Sequence, residues 1–326
     1  MQQTIDSLKH FIYLVCLGFL TFIFSSSTQA TDTAATLINQ AKHTGPIVVT
    51  IKPLYSLVAH LTDGIDSPVL LLKQMQSPHH YNMKPSERRL LANARMIVWI
   101  GPQMESFLSK IIQQQKNSVV VAVMQANNLK LLNKRKKHSH HDEHSTSNAS
   151  SVDLHKIDPH IWLSTHNAVA ISQQVSERLI SLDPKNEEQY KINLQQLLGK
   201  IKQTEEFITT SLKTSNQPFI TFHDAFQYFE NENGLNYVDS INFDDETGTS
   251  LKHLRQIKNS IERNKVQCLV YQAPKPAIID SLTRKTSVKA VALDPLGLTI
   301  KNDKNAWFEL MQQLALNFNF CLTPEK

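Results

Sequence analysis

From Asp183 to Leu212 the chain keeps one apolar face, with Tyr190, Leu194, Leu197, Leu198, Ile201, Ile208 and Leu212 recurring at helical spacing. Asp183 and Pro184 stand at its head as a cap and a first-turn proline. The spacing predicts a helix of about 30 residues, roughly 45 Å long. That exceeds the span of one small lobe. The chain is therefore expected to fold as two bodies with this helix as a rigid spine along both.

The segments on either side alternate strand and helix patterns. Before the spine, 47–52 (IVVTIK), 69–72, 96–100 (MIVWI) and 119–123 read as buried strands. Between them lie a helix opened by Pro53 with Leu54, Leu57, Val58 and Leu61 inward, a short one opened by Pro85 and Ser86, and one over 105–113. His60 falls off the apolar face of its helix and is expected to face solvent. A helix over 167–182 leads into the spine. After the spine, 219–222 (FITF), 266–271 and 288–293 read as strands, with a helix capped by Ser250 through 263 and a last helix over 306–317. This alternation implies mostly parallel sheets with right-handed crossovers.

The first 30 residues are set apart. The run 11–24 (FIYLVCLGFLTFIF) is too short to span a bilayer and long enough for the core of a signal peptide. Thr28, Gln29 and Ala30 offer a cleavage site, so export with cleavage near Ala30 is expected, leaving no membrane span. Of three cysteines, Cys16 lies in that run, and Val15 before it is bulky for lipid attachment. In an oxidising compartment the remaining Cys268 and Cys321 most simply form one disulfide, two free thiols being the alternative. The net charge of +5 is mild and no aromatic-interleaved basic stripe occurs, which argues against nucleic acid as a partner. The basic cluster 134–137 reads as the solvated end of a loop.

Beside that cluster, 134–160 holds six of the fourteen histidines in a polar stretch that cannot build a core. His138, His140, His141 and His144 there form a metal-collecting tract of weak secondary sites. Three other histidines border apolar or aromatic residues where strands end: His79 in SPHHY, His160 in DPHIWLS and His223 in FHDAF. Asp294, after the strand VKAVAL, is a carboxylate in the matching position. Ligands of open α/β sheets gather beyond the carboxyl ends of strands.

The segments 77–86 (SPHHYNMKPS), 99–105 (WIGPQME), 160–164 (HIWLS), 222–229 (FHDAFQYF) and 293–297 (LDPLG), in this order, resemble the zinc-binding periplasmic components of ABC transporters. The resemblance covers essentially all of the chain after the leader. It implies an α/β fold: two Rossmann-like lobes with mostly parallel sheets, joined by one long spine helix, with the metal site in the interlobe cleft. It divides the chain into a signal peptide 1–30, an N-terminal lobe 31–166 with a flexible His-rich insertion 133–153, a helical connection 167–215 and a C-terminal lobe 216–326. The family's three imidazole ligands fall on His79, His160 and His223, and its disulfide on Cys268 and Cys321. Some relatives carry Glu just before the first ligand; here that position is Pro78, so the fourth ligand falls to Asp294, water or a neighbouring carboxylate, with Asp294 or water favoured.

Three nitrogens with at most one oxygen suit tetrahedral Zn²⁺, whereas manganese prefers oxygen donors. Manganese-binding relatives typically carry a carboxylate where His223 stands. The implied role is capture of Zn²⁺ in the periplasm and its delivery to an inner-membrane permease driven by a cytoplasmic ATPase, by a monomer that performs no covalent chemistry. The alternatives are a manganese or other divalent-metal binder of the same fold, or a zinc hydrolase. No HExxH helix supports the latter, and the carboxylates considered as a general base, Glu87 and Asp224, have no motif around them. Trp99 and Trp162 are expected as core residues beside the site.

Overall fold

The computed structural model describes residues 45–73, 77–79, 81–135, 154–242, 250–284 and 286–324. The leader with its cleavage point near Ala30, and the tract histidines His138, His140, His141 and His144, lie outside the described residues.

The first half runs β1 (Ile47–Val49), α1 (Lys52–Leu61), β2 (Val69–Leu70), α2 (Pro85–Ala92), β3 (Met96–Trp99), α3 (Ser109–Gln113) and β4 (Val119–Ala122). Its four strands form an all-parallel sheet in the order β2-β1-β3-β4, with Val48 beside Ile97 and Val98 beside Val121. Two helices follow, α4 (Thr165–Leu182) and α5 (Glu187–Leu212). The second half runs β5 (Phe219–His223), α6 (Gln227–Glu232), β6 (Tyr237–Asn242), α7 (Leu251–Arg263), β7 (Cys268–Tyr271), α8 (Ala277–Thr283), β8 (Lys289–Ala292) and α9 (Ala306–Leu322). Its sheet is also all-parallel, in the order β6-β5-β7-β8, so both halves repeat one strand arrangement.

The spine exists but is shorter than its pattern suggests. A 3₁₀ turn, Pro184–Asn186, precedes α5, whose 26 residues span about 39 Å. Asp183 does not cap by binding a backbone amide. Its Oδ2 accepts the Asn186 side-chain amide at 2.6 Å. The buried positions Tyr190, Asn193, Leu197, Ile201, Thr204, Ile208 and Leu212 step by three and four residues along one stripe. Asn193 fastens the stripe to α1, its amide donating to the carbonyls of Leu61 and Asp63 at 2.9 Å each. The other caps follow their residue types: Ser164 Oγ accepts the Asn167 amide at 3.0 Å, and Ser250 Oγ that of His253 at 3.2 Å.

Strand alternation divides the core. Phe219 and Cys268 join a large cluster that also holds Ile47, Val98, Trp162, Trp307 and Phe318, so one continuous core reaches both sheets. Their strand neighbours Ile220 and Leu269 instead pack with Ile257 and Ile261 of α7. The Cys268–Cys321 disulfide links β7 to α9, with the Cα atoms 5.5 Å apart. His60 is buried rather than solvent-facing, because α9 closes over that side of α1. Its ring meets Phe308 edge-on at 5.2 Å, and burial followed by Lys200 and Lys304 pushes its pKa down to about 4. Strand β6 and helices α6 and α8 carry no clear sequence pattern. β6 is an edge strand whose buried residues include Asp239 and Ser240, so its apolar alternation is broken.

Candidate metal site

The carboxyl ends of the parallel strands deliver the site. His79 sits on the turn beyond β2, where its backbone N–H donates to Ser77 Oγ at 3.3 Å. His223 is the last residue of the interior strand β5. His160 opens a 3₁₀ turn, Ile161–Leu163, just before α4. One nitrogen from each ring lies within 4.8 Å of the other two. The rings meet in pairs at 5.4–5.9 Å between centroids, none of them stacked in parallel. His160 and His223 are buried and His79 is half-buried. The cluster borders a cleft of about 360 Å³, lined also by Met104, Trp162 and Asp294.

Asp158, two residues before His160, was not assigned from the sequence. Its Oδ1 accepts the His160 backbone N–H at 3.0 Å and stands 2.7 Å from His160 Nδ1. A carboxylate on Nδ1–H fixes the tautomer and leaves Nε2 with its lone pair facing out. The signal was present in Asp158-Pro159-His160, since an Asp two residues before a histidine can fold back onto its ring. Asp158 is itself buried, and its carbonyl accepts the Tyr228 hydroxyl at 2.8 Å.

Asp294 lines the same cleft but is not one of the donors gathered within 4.8 Å. Both its oxygens serve its own loop, Oδ1 accepting from Leu296 N at 2.9 Å and Oδ2 from Leu298 N. That loop turns at Gly297, whose φ of +64° a side chain would strain. Lys52 braces it from α1, donating to the carbonyls of Gly297, Leu298 and Ile300 at 2.6, 3.0 and 2.5 Å. Burial lowers the Lys52 pKa, with Asp294 acting against it. Trp162 also joins the two halves: its Nε1 donates to Pro295 O at 2.7 Å, while its own carbonyl accepts Trp307 Nε1 at 2.8 Å. Trp99 and Trp162 are both buried, as expected of core residues.

The two carboxylates weighed as a general base are both engaged. Glu87 accepts from the Tyr81 hydroxyl at 2.6 Å and the Lys84 amide at 2.7 Å. Asp224 Oδ1 accepts from Arg135 at 2.7 Å. Arg135 is thus not part of a solvated loop end: the buried Asp224 and Glu230 draw its side chain inward. Burial raises the pKa of Glu230 to about 8 despite Arg135 beside it, and raises that of Asp224.

Residues 47–321 match the family described as zinc-uptake complex component A, periplasmic. The chain is 32% identical over 289 residues to the high-affinity zinc uptake system protein ZnuA of Yersinia pestis, covering 85% of this chain and 91% of that protein. It is 33% identical to the ZnuA of Haemophilus ducreyi, covering 85% and 93%. Among solved structures it resembles a zinc-bound ZnuA lacking residues 138–173, with a TM-score of 0.71 at 19% identity over 86% of this chain and 99% of that one. It also resembles the periplasmic zinc-binding protein TroA of Treponema pallidum, with a TM-score of 0.68 at 17% identity over 86% and 100%.

Proposed function

Because the chain belongs to the zinc-uptake component A family of periplasmic binding proteins, we propose that it captures one Zn²⁺ with His79, His160 and His223 and hands it to the permease of an ABC importer. The observation that carries this is the convergence of three imidazole nitrogens within 4.8 Å at the mouth of a cleft. Three neutral nitrogens match the donor preference of Zn²⁺, and a carboxylate-poor set disfavours manganese. Water from the cleft completes the tetrahedron, and Asp294 holds the loop opposite. The sequence's other division, into lobes 31–166 and 216–326 around a helical connection, fits the two repeated sheets. Release then proceeds by small tilts, because one core and the braces from Lys52 and Trp162 tie the halves together. The protein acts as a monomer, is processed near Ala30, and leaves ATP hydrolysis to its partner. His138, His140, His141 and His144 add weaker zinc sites.

Competitive zinc titration of residues 31–326 lacking 136–153, which keeps Arg135, beside its His223→Ala variant, tests the site. The reading requires one tight zinc per chain, weakened at least a hundredfold by the substitution. No tight zinc in the parent, or an unaffected variant, refutes it. Absence of turnover of ester, peptide and phosphate substrates by zinc-loaded protein separates a carrier from a hydrolase.

A further inference from the structure

Residues 132–135 and 156–158 form a short antiparallel ribbon, the two ends of the His-rich insertion. Asn133 pairs with Ile157, Lys134 N donates to Lys156 O at 2.7 Å, and Asp158 N donates to Leu132 O at 2.9 Å. One arm of this ribbon carries Asp158 and leads directly into His160. The other arm ends in Arg135, whose guanidinium reaches into the opposite half of the molecule. Nη1 donates to Asp224 at 2.7 Å and Nη2 to Glu230 at 2.5 Å, and the group lies 3.5 Å from the centre of the Tyr237 ring. Asp224 directly follows His223. The side chains of Asp224 and Glu230 are only 4% and 2% exposed, so this is a built and largely dry contact. Tyr228 stitches the same elements together, donating to Asp158 O at 2.8 Å and accepting from Leu132 N at 3.2 Å.

We propose that Arg135 is a positioning residue of the zinc site, whose fork onto Asp224 and Glu230 locks the ribbon bearing Asp158 and His160 against the strand end bearing His223. This rests on the reading that His79, His160 and His223 bind Zn²⁺, and it adds what sets the distance between two of them. His160 and His223 come from elements 63 positions apart in sequence (223 − 160). Their rings stand 5.4 Å apart. A ligand set separated in this way keeps its geometry only if the supports are tied to each other. The fork is the charged tie between them, and guanidinium geometry suits it: two parallel donors meet two carboxylates at fixed angles, which a lysine ammonium cannot reproduce. The root of the insertion is thus part of the site's scaffold, whatever the tract beyond it does.

Arg135 also brings a positive charge near a site for a cation, so a purely electrostatic role predicts the opposite sign. Removing the charge would then tighten zinc binding, and Arg135→Lys would change nothing. The test is competitive zinc titration of residues 31–326 against their Arg135→Lys and Arg135→Ala variants, with the visible absorption of Co²⁺-loaded protein as a report on ligand geometry. Arg135→Lys is expected to bind zinc about tenfold more weakly, the lower range for disturbed supports of metal ligands. Its Co²⁺ bands should shift or lose intensity while the far-ultraviolet circular dichroism stays that of the parent. Arg135→Ala should be at least as weak; should it fail to fold, Arg135→Lys carries the test, since it keeps a charge beside the two carboxylates. Zinc affinity of Arg135→Lys within twofold of the parent, unchanged Co²⁺ bands, or tighter binding by Arg135→Ala overturns the proposal. A parent that binds no tight zinc, or is indifferent to His223→Ala, overturns the site itself and the proposal with it.

Discussion

Asp158 offers the sharpest separation of binding from folding. Its Oδ1 receives two contacts from His160, one backbone and one ring, and the carboxylate is buried. Metal on Nε2 withdraws electrons and makes the Nδ1 proton more acidic, so the bond to Asp158 is stronger with zinc bound than without it. Only that difference enters the affinity. Loss of such partners costs 10–100-fold in metal binding, or about 1.4–2.7 kcal/mol. Asp158→Ala removes both contacts and should fall near the upper figure. Asp158→Asn can still present an oxygen to both donors while losing the charge, and should fall near the lower. Stability of the metal-free protein should change in opposite directions in the two variants. Asn relieves a buried charge whose Oδ2 has no hydrogen-bond partner, whereas Ala leaves a hole and an unmet backbone donor. Competitive zinc titration paired with chemical unfolding of the apo protein measures both quantities. Affinity unchanged within twofold in Asp158→Ala would refute the argument, as would an affinity loss in Asp158→Asn that only mirrors a loss of stability.

Replacing Cys268 and Cys321 with Ser opens a link across a 53-residue separation, which the chain-entropy relation values at about 4 kcal/mol as an upper guide; unfolding by denaturant should show most of that loss, with zinc affinity retained. Glu105 is fully buried and receives the amides of Ile100 and Gly101, and burial raises its pKa to about 7. The native state therefore holds a proton that the unfolded chain releases at the ordinary carboxylate value. The Glu105 contribution to stability should be full below about pH 4.5 and decline by up to about 3 kcal/mol as pH rises to 7. Glu105→Gln should abolish that component of the decline, and an unchanged pH profile of the unfolding midpoint would contradict it. Lys52→Met keeps the bulk but leaves three carbonyls of the 297–300 loop without their ammonium. It should cost about 3 kcal/mol of stability and speed zinc release in stopped-flow chelation.

Periodicity made the framework legible. Among the described residues, apolar runs marked seven of the eight strands, and the stripe from Tyr190 to Leu212 marked the spine, because both depend on local repeats that the sequence writes out directly. The strand that escaped notice, β6, lies at a sheet edge, where burial of Asp239 and Ser240 breaks the alternation. Helices α6 and α8, of six and seven residues, are too short to show a period. The three candidate histidines were legible from their settings, beside prolines or aromatic residues. Their meeting was not, because positions 79, 160 and 223 are brought together only by two parallel sheets packed on a shared core.

Charge needed the tertiary structure most. Asp294 stands after a strand at the cleft, and its oxygens accept from amides two and four residues on, in a loop that turns at Gly297 and is braced by Lys52. Arg135 sat in a basic run that read as solvated, and the buried Asp224 and Glu230 claimed it from 89 and 95 residues away. The sequence by itself determined which residues were able to bind metal and which segments had to form strands and helices, since donor chemistry and hydrophobic period are local properties. Which polar groups gather at the cleft, and which instead hold the protein together, was decided by long-range packing. A buried charge takes the partner that the fold places beside it, and sequence distance has no bearing on that choice.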